Sequence, residues 1–160
     1  MTVLSFTVYG VPQPAGSKRA FPNRKTGGVI VTDDAAGSRP WKQEVARTAQ
    51  ASVTSDGWPR ATREPVRLDV TFVIPRPKGH HGTGRNLGTV KGSAPAWPGV
   101  KPDATKLLRA VEDAMAGIVY YDDAQVVQQA VYKRYGHPAR VEITATLLPA
   151  SVAQAQEAAL

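Results

Sequence analysis

The sequence predicts an α/β (α+β) domain: a mixed β-sheet packed with two main helices. Three observations lead there. Val66, Leu68, Val70, Phe72 and Ile74 alternate with Arg67, Asp69, Thr71 and Val73, the period-two pattern of a strand with one buried face. Trp41, Val45, Ala49 and Val53 recur every four residues, which gives a helix a single apolar stripe. A second helical stretch, residues 104–116, is followed by two further strand patterns. No internal repeat or domain boundary interrupts them. Residues 1–150 are therefore expected to form one domain, with an Ala/Gln-rich tail at 151–160 that is frayed or weakly helical.

In chain order, Val3, Leu4, Phe6 and Val8 make residues 3–10 a strand, ended by Gly10 and the prolines at 12 and 14. Gly27-Gly28 turns the chain into a short strand at Val29-Ile30-Val31. Ser38 is a candidate helix cap, with Pro40 near the first turn. Asp56-Gly57-Trp58-Pro59 closes that helix, and Pro75 closes the next strand. Asp69 sits on that strand's polar face and reads as a solvated residue. Residues 124–135 and 140–148 read as strands joined through Gly136-His137-Pro138 as a closing hairpin.

Charge narrows the function. The chain has 160 residues, a net charge of +7 and no cysteine. Disulfide frameworks and thiolate metal sites are thereby excluded, in keeping with a reducing cytoplasm. No basic-then-apolar leader opens the sequence, and no apolar run reaches membrane-spanning length, so no membrane partner is expected. A basic balance favours an anionic partner. The cations are concentrated. Residues 11–32 carry Lys18, Arg19, Arg24 and Lys25 without one carboxylate. Residues 75–102, a long Gly/Pro-rich loop, carry Arg76, Lys78, Arg85, Lys91 and Lys101, again without one. Such segments suit DNA phosphates, which carry sequence-independent affinity. Within the loop, Trp97 is expected to pack as an anchor between Pro95 and Pro98, base stacking being its other use. His80-His81 is expected to be a mobile, solvated pair.

The chemistry centres on KPDATKLLRAVEDAMAGIVYYDDAQVV, residues 101–127. Gly117 breaks the helix, and residues 118–123 read as extended. If that segment doubles back along the helix, Asp123 returns to the level of Asp103. Two or three carboxylates at one end of a helix–strand unit suit a hard cation such as Mg²⁺. Such ions can activate water, stabilise a leaving oxygen and neutralise phosphate charge. Asp103 and Asp123 are the leading ligands. Asp122 comes second, because neighbours on a strand point to opposite faces. Asp113 and Glu112 lie too far along the helix to share an ion with Asp103, and Asp113 is expected to make a structural ion pair or hydrogen bond. Taken singly, an Asp before a helix also serves as a cap, and Asp-Asp before a strand also forms a turn.

Pro102, Asp103, Leu107, Asp113, Ala114, Asp122, Asp123, Gln125 and Val126 together resemble the signature of RusA-type Holliday junction resolvases. The resemblance implies a RusA-like fold and a dimeric, Mg²⁺-dependent endonuclease that cuts four-way DNA junctions in recombination and repair. Mn²⁺ is an alternative metal. It implies catalytic roles for Asp103, Asp122, Asp123, Thr105, Lys106 and Arg109, with Lys18, Arg19, Arg76, Lys78 and Lys101 on the DNA backbone. The chain departs from the family where many members read Asp-x-Asp-Asn followed by a lysine. Thr105 stands for the second carboxylate, Lys106 for the asparagine and Arg109 for the lysine. A hydroxyl is a weaker, neutral ligand, so metal affinity or preference is expected to shift. Thr105 is also the feature that favours the alternative function, a non-catalytic module that recognises junction shape. A two-fold symmetric junction calls for two sites and hence a homodimer.

Overall fold

Leu4, Phe6 and Val8 on one strand face Ala145, Ile143 and Val141 on another, and Leu68, Val70 and Phe72 face the same three from the far side. Ten buried apolar side chains, these nine and Val66, thus line one face of a four-stranded sheet. The computed structural model, which describes residues 1–16, 18–33 and 37–159, builds that sheet from β1 (Val3–Tyr9), β4 (Val66–Ile74), β5 (Val126–Tyr135) and β6 (Arg140–Leu147), in the order β1-β6-β4-β5. Two more strands, β2 (Lys18–Pro22) and β3 (Val29–Asp33), form a separate antiparallel ribbon. The sequence pattern predicts β3, whereas β2 falls in a stretch read as basic loop.

The sheet is mixed because β5 and β6 do not pair with each other. β4 lies between them, parallel to β5 and antiparallel to β6. This corrects the expected closing hairpin. β4 carries the most buried apolar side chains of the four strands: Val66, Leu68, Val70, Phe72 and Val73. Central placement removes the most apolar surface from water, and that outweighs the short connection through Gly136-His137-Pro138. β5 consequently becomes an edge strand, with Val127 and Tyr132 exposed.

Helix α1 (Ser38–Ser55) buries the anticipated stripe of Trp41, Val45, Ala49 and Val53. Its N-cap is Gly37, at φ 89°, so Ser38 is the first helical residue and not the cap. Helix α2 (Ala104–Met115) buries Leu107, Leu108, Ala110, Val111 and Met115. α1 packs on β1 and on α2, and α2 packs on β5. The tail holds a short helix, α3 (Val152–Ala158), capped by Ser151 and exposed along its length. Among the described residues no helix is long and apolar enough to cross a membrane.

Candidate active site

The acidic motifs fall at opposite ends of α2. Asp103 occupies the N-cap position, exposed, and makes no side-chain capping hydrogen bond. It borders a shallow groove of about 420 Å³ between the Val11–Pro14 turn and residues 101–106, shared with Lys101 and Lys106. The groove walls are tied together by Ala15 N–H donating to the Lys106 carbonyl at 2.9 Å. From β5, Lys133 Nζ donates to the Val100 and Pro102 carbonyls at 2.8 and 2.9 Å. Lys133 thereby fixes the approach to Asp103 and sets that end of α2 against the end of β5.

The extended return of residues 118–123 toward Asp103 is not made. Residues 118–123, expected to be extended, instead turn tightly and dock on the C-terminal end of α2. Val119 and Tyr120 are fully buried there. Gly117, at φ 77°, donates to the Tyr120 carbonyl at 2.7 Å. Trp58 Nε1 donates to the Val119 carbonyl at 2.8 Å, and Tyr121 N–H to the Thr62 carbonyl at 2.9 Å. The Tyr120 hydroxyl donates to the Glu112 carbonyl at 3.1 Å. Burying two large side chains outweighs an extended path across solvent.

Asp122 and Asp123 then open a 3₁₀ turn, Asp123–Gln125, rather than a strand. Asp122 caps it: its carboxylate accepts from Ala124 N–H at 2.9 Å while Gln125 Oε1 accepts from Asp122 N–H at 2.7 Å. Asp122 is thus committed locally, and Asp123 is the freer acid. Its neighbour is Glu112, whose carboxyl is pushed above its ordinary value by burial first, then by the charges of Asp123 and Asp113. Gln129 Nε2 of β5 donates to Glu112 Oε1. The Tyr120 phenol is raised for the same reasons, burial first and then Glu112, Asp123 and Asp113. Sequence reading set Glu112 aside for its distance from Asp103. The available signal was the apolar Ile118-Val119-Tyr120 run before the acids, which predicts a docked turn. Among the described residues no group of three or more His, Cys, Asp or Glu side chains converges on one point.

The remaining residues divide. Thr105, Lys106 and Arg109 are exposed on the first turns of α2, beside Asp103. Asp113 makes the expected ion pair, with Lys42 Nζ at 3.0 Å. Asp69 pairs with Arg67 at 2.8 Å, which lowers its carboxyl pKa chiefly through that hydrogen bond. Lys78 and Lys101 are exposed. Arg76 is engaged within the loop: Nη1 donates to the Pro95 carbonyl at 2.8 Å and the guanidinium lies 4.3 Å from the centre of the Tyr135 ring. The expected grip of Lys18 and Arg19 on DNA involves side chains outside the described residues, which give the backbone pairing of β2 alone. His80 and His81 are half-buried, His80 standing edge-on to Tyr135 at 5.4 Å, so the pair is packed and not freely solvated. Trp97 also reverses expectation. Its side chain is 71% exposed, and the neighbouring Pro98 is buried in its place.

Two similarities bear on this arrangement. A family profile described as Endodeoxyribonuclease RusA matches residues 12–146, spanning the groove, both acidic motifs and the whole of β5. The chain is also 32% identical over 144 residues to a Bacillus subtilis (strain 168) protein named uncharacterized protein YqaN, covering 89% of this chain and 95% of that protein.

Proposed function

Because the chain belongs to the RusA endodeoxyribonuclease family, and is an endonuclease that acts on Holliday junctions, we propose that each catalytic centre is built from two subunits. Asp103 comes from one, and the partner subunit's Asp123, seated by its own capped turn, completes the acid pair. The observation that carries this is the placement of the acids at opposite ends of α2, along an open edge strand. The helix from Asp103 to Glu112 spans about 14 Å at ~1.5 Å per residue, and Asp123 opens the turn that leads into β5, whose Gln129 is bonded to Glu112. On this reading the two carboxylates stand too far apart to share one ion within a chain.

A two-fold homodimer offers the remedy. β5 presents unpaired backbone groups along its outer edge. Antiparallel pairing of β5 with its symmetry mate about the strand's centre sets the Val126 end of one copy beside the Lys133 end of the other. Lys133 is bonded to the segment leading into Asp103, and Asp123 lies just before Val126. The symmetry that a four-way junction demands is then the symmetry that assembles the sites.

The donor set suits Mg²⁺, with Mn²⁺ as a substitute. It offers oxygen alone, in exposed carboxylates, and Asp103 leaves its cap unmade. A metal that needs an all-protein cage does not fit, whereas Mg²⁺ commonly takes one or two carboxylates plus phosphate and water. When bound, the ion supplies charge neutralisation and a more acidic water. The chain's own residues do the rest. Asp103 and Asp123 hold the cation, and Asp122 fixes the turn that aims Asp123. The Thr105 hydroxyl, on the first turn of α2, can orient a water. Lys106, in the groove, and Arg109 on the next turn neutralise the phosphate; Arg109 acts as a charged fork and not as a proton donor. Lys101 and Lys78 hold the backbone of branched DNA in a cytoplasmic setting.

The test is nicking of a synthetic four-way junction with Mg²⁺ or Mn²⁺. Wild type should cut. Asp103→Asn and Asp123→Asn should each lose at least about 100-fold, the order expected when a metal ligand is removed. Retention of wild-type nicking by either variant would remove that acid from the site.

A further inference from the structure

We infer that Trp97 is a stacking platform for an unpaired nucleobase at the branch of the DNA, an assignment that rests on the junction-nuclease reading above. Tryptophan is highly buried on average, and the chain's other two tryptophans are: Trp41 is 6% exposed and Trp58 4%. Trp97 alone of the three presents its ring to solvent, at 71%.

The ring is exposed but its backbone is held. On one side Arg76 donates to the Pro95 carbonyl at 2.8 Å, with its guanidinium in turn packed on Tyr135. On the other, Lys133 donates to the carbonyls of Val100 and Pro102. Between these clamps Gly99 N–H donates to the Trp97 carbonyl at 2.8 Å, and Pro98 is buried beneath. An exposed aromatic on a held backbone needs less ordering when it meets a ligand, which favours stacking. The surrounding segment, residues 76–102, is free of Asp and Glu and carries Arg85, Lys91 and Lys101. It therefore attracts phosphate while the ring offers a face to any base. Trp97 stands six positions before Asp103, close enough to act beside the scissile phosphate. A fully paired duplex hides its base faces. A branch point exposes them.

Because Trp41 and Trp58 are buried, quenching of the exposed tryptophan emission reports on Trp97. Full-length protein is titrated, without divalent metal, with a four-way junction and with a linear duplex of equal length. Stacking predicts strong quenching by the junction and weak quenching by the duplex. Trp97→Ala should lose roughly ten- to a hundredfold in junction affinity, Trp97→Phe should retain most of it, and duplex affinity should barely change. Tight junction binding with unchanged emission, or a Trp97→Ala variant that binds and nicks like wild type, would overturn the stacking role and leave the nuclease reading intact. Emission already shielded from acrylamide in the DNA-free dimer would assign Trp97 to the subunit interface and likewise overturn it. Failure of wild type to bind junctions at all would remove both readings together.

Discussion

Mixing Asp103→Asn and Asp123→Asn subunits offers the sharpest separation between a site built within one chain and a site shared by two. On the shared-site proposal, each variant alone forms dimers in which both centres lack an acid. In a heterodimer with shared sites, one centre receives both asparagines and the other receives both native aspartates. After exchange at equal concentrations about half of the dimers are mixed, each with one intact centre of two, so about a quarter of wild-type nicking should return. The shared-site proposal predicts this outcome because about 14 Å of helix, at ~1.5 Å per residue, separates Asp103 from Glu112, and Asp123 leads into β5, whose Gln129 is bonded to Glu112. The products carry a second signature. One live centre per dimer nicks one strand, so nicked junctions should accumulate without the paired cuts that release two duplexes. The assay is a time course on a strand-labelled junction, with exchange verified by tagging the two variants differently. A mixture that exchanges fully yet stays as inactive as its parents would refute the shared site.

Two further outcomes follow from the same arrangement. Tyr120→Phe removes the hydroxyl that donates to the Glu112 carbonyl; it should cost about 1 kcal/mol in urea unfolding and reduce nicking several-fold by loosening the turn that aims Asp123. Lys101→Ala should weaken junction binding to a similar extent across sequences and lower the slope of log affinity against log salt by about 1, measured over a salt series.

Periodicity and punctuation carried most of the elements. The Trp41–Val53 stripe, the alternation through Val66–Ile74 and the break at Gly117 are local patterns, and each reappears as a helix, a strand or a terminus in nearly the predicted place. The acidic residues were legible too, together with the family signature they complete. Asp113 could be set apart from the metal by helix geometry alone, and its ion pair with Lys42 agrees. Arrangement was another matter. Nothing local says that β4 will separate β5 from β6, because strand order is settled by which strand buries the most apolar surface. Whether Trp97 faces inward or outward is likewise undecided by its flanking prolines, since the competition for the loop's small buried position is won by Pro98.

The amino-acid sequence by itself determined the α+β class, the basic acid-free segments and the nuclease family, and it supplied the candidate carboxylates. Tertiary structure alone decided that Asp103 and Asp123 stand at opposite ends of α2. The physical reason lies in Val119 and Tyr120: their burial against the helix terminus, a contact between residues brought together by packing, stops the chain where an extended path would have carried it back. Once that turn is docked, β5 makes the return journey instead, and its open edge is the surface on which the shared-site proposal seats a second subunit.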